Sequence, residues 1–129
     1  MDLSKFESIF FEMKQILEKY YNDTFLFEQI INSIKTNNYD EFKDKVISNT
    51  FWGGSGAFWE IAPDDEYEIR TRFVEAVKIQ KQERRIDTIK YRRKYIELGE
   101  NLIAHGFNNR RIDQVIDNLK TMNEKEIEL

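Results

Sequence analysis

Leu3, Phe6, Phe10, Met13, Leu17 and Tyr20 recur at alternating spacings of three and four residues, which draws one apolar stripe down an amphipathic α-helix. The same period returns in Phe27, Ile30, Ile31 and Ile34, in Tyr39, Phe42 and Val46, in Tyr91, Tyr95, Leu98 and Leu102, and in Ile112, Val115, Ile116, Leu119 and Met122. No segment shows the strict alternation of a half-buried strand. A chain written this way buries its apolar residues by packing helix on helix. We therefore expect an all-α fold, a compact bundle of five or six helices, with residues 1–129 forming a single domain.

Local signals place the helix ends. Ser4 with Glu7 reads as a capping box opening the first helix, which should stop near Tyr21. A second helix should run from about Thr24 to the polar run Thr36-Asn37-Asn38. Asn38 with Glu41 can cap a third, closed by Ser48-Asn49-Thr50. The connections are short, so these three should pack up and down. Pro63 followed by Asp64, Asp65 and Glu66 reads as another helix start, continued by Ile69, Phe73, Ala76 and Val77. Helix-length priors favour a break near Arg85 to Thr88 rather than one helix spanning 65–104. His105 and Gly106 form a stop signal, a last helix should start near Asn108 or Asn109, and residues 123–129 should fray.

The helical pattern is interrupted between Phe51 and Ile61. This segment holds both tryptophans and three of the five glycines, and three glycines within four residues disfavour a stable helix. We expect a tight aromatic/glycine-rich loop over 51–61, pinned to the core by Phe51, Trp52, Phe58 and Trp59, with Trp52 the better core candidate and Trp59 the better surface candidate. It is not a P-loop, because no Lys-Ser/Thr pair follows the glycines, and not a dinucleotide fingerprint, which needs a βαβ unit. Ser55 as a nucleophile would need a base, and the only histidine, His105, already has a helix-end role.

Composition narrows the chemistry further. There is no cysteine, which removes disulfides, thiol catalysis and Cys-ligated metals. Glu60, Asp64, Asp65, Glu66 and Glu68 cluster after the glycines but lack the spacing of a calcium loop, and no Glu-x-x-His pair marks a di-iron bundle. The acids can serve as a favourable helix first turn or as an exposed acidic edge. We expect no catalytic set, no metal, no cofactor and no small-molecule substrate. The N-terminus lacks a signal-peptide pattern and no stretch is long and apolar enough to span a membrane, so a cytoplasmic protein is expected.

Charge is unevenly distributed. Residues 1–68 carry six basic and fourteen acidic side chains, whereas 69–129 carry fourteen basic and ten acidic. Such asymmetry can steer a charged partner. The basic excess is densest from Lys78 to Lys94, with eight basic residues against two acidic ones and with Tyr91 and Tyr95 interleaved. Such a cluster can bind phosphates, so an alternative reading is a helical nucleic-acid-binding or regulatory module using Arg84, Arg85, Arg92 and Arg93. The net charge of −4 argues against nucleic acid as the partner. Arg110 and Arg111 oppose the dipole of the last helix and suggest an acidic partner or an intramolecular carboxylate nearby.

The run Phe51-Trp52-Gly53-Gly54-Ser55-Gly56-Ala57-Phe58-Trp59-Glu60-Ile61 resembles a motif of small helical bacterial proteins. In these an aromatic and two glycines precede a small-residue pair, an acid follows, and a helix rich in Arg and apolar residues comes next. The resemblance covers about residues 46–105, and the longer Pro63 to Glu66 stretch departs from the pattern. Several such proteins look like immunity proteins, encoded beside toxins of interbacterial competition systems. The resemblance implies stoichiometric binding of a cognate protein toxin, many such toxins being nucleases, with no enzymatic activity. Trp59, Glu60, Asp64, Asp65 and Glu66 are then the expected contact residues.

Overall fold

A computed structural model describes residues 3–21, 24–54, 57–60, 81–107 and 109–128. The described residues form an all-α fold in the order α1 (Ser4–Glu18), α2 (Phe25–Lys35), α3 (Tyr39–Val46), a single-turn α4 (Asn49–Trp52), a 3-10 turn (Phe58–Glu60), α5 (Lys81–Ala104) and α6 (Arg110–Glu128). The stripes read from the sequence form the core. Leu3, Phe6, Phe10, Met13, Leu17 and Tyr20 of the N-terminal stretch meet Phe27 and Ile30 of α2, Phe42 and Val46 of α3, Tyr91, Tyr95, Leu98 and Leu102 of α5, and Ile112, Val115 and Leu119 of α6 in one buried cluster. Burying a side chain of this size stabilises by about 1.5–3 kcal/mol.

α5 organises the bundle, packing on α1 along one flank and on α6 along the other. Its run against α1 is antiparallel: Lys19 meets Asp87, Glu12 meets Lys94, and Phe6 meets His105. Against α6 it is antiparallel too, with Arg85 facing Glu126 and Gly99 facing Ile112 and Ile116.

Two helix ends close through the same backbone device. After α2, Asn37 takes φ 53°, the Asn38 N–H donates to the Ser33 carbonyl at 2.8 Å and the Asn37 N–H to Ile34 at 3.0 Å. After α5, Gly106 takes φ 89° and Phe107 N–H donates to Leu102 at 3.0 Å, while Phe107 itself is buried. Both are Schellman closures with a left-handed residue, where glycine costs least and asparagine is the next best choice. Asn38 caps α3 as expected: its Oδ1 accepts from the Glu41 N–H at 3.3 Å, and the reciprocal bond runs between side chains, Asn38 Nδ2 donating to Glu41 Oε2 at 3.2 Å, because the Asn38 backbone N–H is taken by Ser33.

Three expectations are corrected. The residue flanking α1 is Leu3, and no side-chain capping hydrogen bond closes that end; burial of Leu3 in the core fixes the chain entry instead. α5 runs unbroken through Arg85 to Thr88, because Asp87 and Thr88 are buried there in polar contacts rather than marking an exposed joint. The C-terminal stretch does not fray at Asn123: α6 continues to Glu128, held by Asn123 Nδ2 donating to the Ile89 carbonyl at 3.3 Å and by Arg85 donating to the Glu126 carbonyl. The expected helix start at Pro63 to Glu66 and the apolar face from Ile69 to Val77 lie outside the described residues, as do Ser55 and Asn108.

Candidate interaction site

The glycine segment is fastened to the bundle from several sides. Phe51 and Trp52 are fully buried and end α4. The Trp52 indole N–H donates to the Val46 carbonyl at 2.7 Å, and that of Trp59 to the Gly53 carbonyl at 2.7 Å. From α5, the Tyr95 hydroxyl donates to the Phe51 carbonyl at 2.6 Å and the Tyr91 hydroxyl to the Phe58 carbonyl at 3.1 Å. Arg111 adds a bond from α6, its Nε donating to the Trp52 carbonyl at 3.1 Å. The feature that answers Arg111 is thus a backbone carbonyl at the end of α4, not a carboxylate; its cation lies where a helix C-terminus favours positive charge.

Gly53 is required by close approach. A Cβ there would lie 2.5 Å from the Asn49 carbonyl oxygen, whereas one on Gly54 would meet nothing within 4 Å. The described part of the segment is less of a loop than its glycines suggest, since it contains the last half of α4 and the 3-10 turn.

Of the residues expected at a partner surface, Trp59 and Glu60 occupy that 3-10 turn and are half-buried, with the Trp59 ring packed against the core cluster. Asp64, Asp65 and Glu66 lie outside the described residues.

The basic run of α5 divides between two faces. Arg92 is only 4% exposed, with Nη1 lying 3.8 Å from Glu126 Oε1. Arg85 Nε lies 3.4 Å from Glu126 Oε2. Arg84 is half-buried, so Arg84, Arg85 and Arg92 do not form a free cationic surface together with the exposed Arg93. A phosphate backbone needs accessible cations on one face, and this quartet does not offer them.

Arg93 faces instead a groove of about 720 Å³ between α1 and α5, lined by Glu12, Gln15, Ile16, Glu18 and Lys19 on one wall and Asp87, Lys90, Arg93 and Lys94 on the other. At one end of this groove lies a buried polar knot. Asp87, 4% exposed, accepts a hydrogen bond from the hydroxyl of the fully buried Tyr20. Lys19 Nζ lies 3.1 Å from Asp87 Oδ2 and 3.1 Å from Glu83 Oε1. Burial of the phenol, reinforced by its bond to Asp87, holds the Tyr20 hydroxyl well above the usual tyrosine range. Burial opposes the Lys19 charge, but hydrogen bonds to Glu83 and Asp87 outweigh it and keep the ammonium above its ordinary value. At the other end Lys94 bonds to Glu12 across the groove and to Glu97 at 3.1 Å along its own helix, and the Glu12 bond raises it in the same sense.

Sequence reasoning did not single out Tyr20, Lys19 and Asp87 as a set. A signal was present: Asp87 stands one turn before Tyr91 on the inner stripe of α5, an acid at a core position. Among the described residues no group of three or more His, Asp or Glu side chains is arranged to hold a metal ion, and no helix is long and apolar enough to cross a membrane. Compared with known protein families, curated proteins and solved structures, the chain finds no match.

Proposed function

We propose that this chain is a protein-binding module that neutralises a cognate toxin by stoichiometric association, in the manner of an immunity protein. The observation that carries the reading is the way the glycine segment is fastened. Hydrogen bonds from Trp59, Tyr91, Tyr95 and Arg111 end on backbone carbonyls within it, and its own Trp52 donates to the Val46 carbonyl at the end of α3. The residues these bonds hold, 51–53 and 58–59, have already lost conformational freedom, so a partner docking on them meets little further ordering cost. Trp59 and Glu60, half-buried at its edge, supply the aromatic and the acid of the proposed contact, with Asp64, Asp65 and Glu66 following in sequence. The acidic N-terminal half supports a basic partner, such as a nuclease cleft, by raising the rate of encounter.

Co-expression with the product of the adjacent gene tests this. The expected result is rescue of cell growth and a co-purifying pair, weakened by Trp59→Ala and by Glu60→Lys. A neighbour that is not toxic, or a toxic one that is neither bound nor neutralised, overturns the proposal.

A further inference from the structure

The basic run of α5 is not absorbed by the glycine segment, and its outward part has a definite setting. Lys90 and Arg93 are exposed, stand three residues apart on one face of α5, and form no ion pair with any described residue. The neighbouring cations of the same groove are already engaged, Lys94 by Glu12 and Glu97 and Lys19 by Glu83 and Asp87. The opposite wall carries Glu12, paired with Lys94, and Glu18, paired with Lys14 at 2.6 Å, together with Lys19; both carboxylates stay about half exposed, and Ile16 and Gln15 lie between. One wall therefore has two cations unpaired among the described residues, and the facing wall holds two half-exposed carboxylates engaged only in surface pairs, which are weak enough to be exchanged for a partner's base.

We propose that the groove between α1 and α5 is a docking site for a helical peptide segment of a protein partner, one bearing acids that meet Lys90 and Arg93 and a basic residue on the flank toward Glu18. Charge complementarity selects this occupant. A guanidinium takes a carboxylate in a two-pronged bond, and acids three or four residues apart on a helix match the spacing of Lys90 and Arg93. A nucleic-acid strand carries one sign of charge throughout, so it would gain at Lys90 and Arg93 only by approaching Glu12 and Glu18. A peptide can carry both signs and satisfy both walls. Two antiparallel helices packed side by side also leave a furrow into which a third helix lays its side chains, a recurring mode of peptide recognition. The inference rests on the reading above only in taking the partner to be a protein, and its test uses no toxin, so the two can fail separately.

The test is a titration of the full chain, followed by backbone amide resonances. The probe is a synthetic helical peptide of about 15 residues, the length at which an isolated helix begins to hold, with two glutamates three residues apart and a lysine on one flank. A single-stranded oligonucleotide and a scrambled peptide of the same composition are run alongside. Saturable shifts confined to residues 12–19 and 87–94, with binding at least tenfold weaker in Lys90→Glu/Arg93→Glu and unchanged in the distant Lys120→Glu, support the site. No saturable shift, equal binding of the scrambled peptide, shifts centred elsewhere, or tighter binding of the oligonucleotide overturns it.

Discussion

The hydroxyl of Tyr95, fully buried on α5, donates to the backbone carbonyl of Phe51 at 2.6 Å, joining residues 44 positions apart in sequence. The bond fixes where the glycine segment begins relative to the longest helix. Tyr95→Phe keeps the ring and removes the bond, and should cost about 1–2 kcal/mol, because a buried carbonyl loses its donor. Urea unfolding with an unchanged slope would show this as a lower midpoint.

Gly53 and Gly54 should respond oppositely to the same substitution. Gly53→Ala sets a methyl 2.5 Å from the Asn49 carbonyl oxygen, which is backbone and cannot swing aside, while Gly54→Ala enters open space. We expect a loss of more than about 1 kcal/mol for the first and a neutral or slightly stabilising change for the second, which also restricts the unfolded chain. Thermal unfolding of the two single variants distinguishes them directly.

Stability should decline in alkali. Burial and the bond to Asp87 raise the Tyr20 hydroxyl above its ordinary 10.0, and burial raises Tyr95 likewise. A group whose folded value is raised binds its proton more tightly in the folded state. Its contribution is complete below the unfolded value and is lost as pH climbs from there toward the folded value. From about pH 10 upward each phenol should remove roughly 1.4 kcal/mol per pH unit. Lys19 and Lys94 are raised as well and act in the same direction. Urea midpoints measured between pH 8 and 11 should fall, and Tyr20→Phe should flatten the slope.

The end of α6 should matter to stability, contrary to what its position in the sequence suggests. Glu126 faces both Arg85 and the buried Arg92. Glu126→Ala should cost about 2 kcal/mol, between the values for exposed and buried pairs, and ending the chain at Met122 should cost more, since it also removes the Asn123 bond to Ile89. Matching stabilities for the full and shortened chains, read by chemical denaturation, would contradict this.

How far the fold was legible follows the chemistry of each face. α2 and α6 write their inner faces in Ile, Leu, Val and Phe, and their stripes marked both the helices and their buried faces. α5 was harder, because its buried face includes Asp87, Thr88, Arg92 and Gly99 beside the tyrosines. Periodicity counts apolar residues and cannot register a carboxylate that is buried because a phenol and an ammonium wait for it. The same blindness grouped Arg92 with Arg93 as one basic patch, although neighbouring residues on a helix point about 100° apart. At the glycine segment the composition identified the anchors, Phe51 and Trp52, but the partners of the indoles are main-chain carbonyls, which every residue carries and no sequence marks.

The antiparallel seam between α1 and α5 has a consequence for how the chain acquires its shape. α1 packs on its sequence neighbour α2, as α5 does on α6, whereas the bonds across the seam join distant residues: Lys19 and Asp87 lie 68 positions apart along the chain, and Glu12 and Lys94 lie further apart still. Helical pairs close in sequence assemble early and fast, while long-range docking waits on a costlier closure. Folding should then proceed as two local hairpins followed by one encounter. Substitutions at Tyr20 or Asp87 should act mainly on whichever rate, folding or unfolding, that encounter limits.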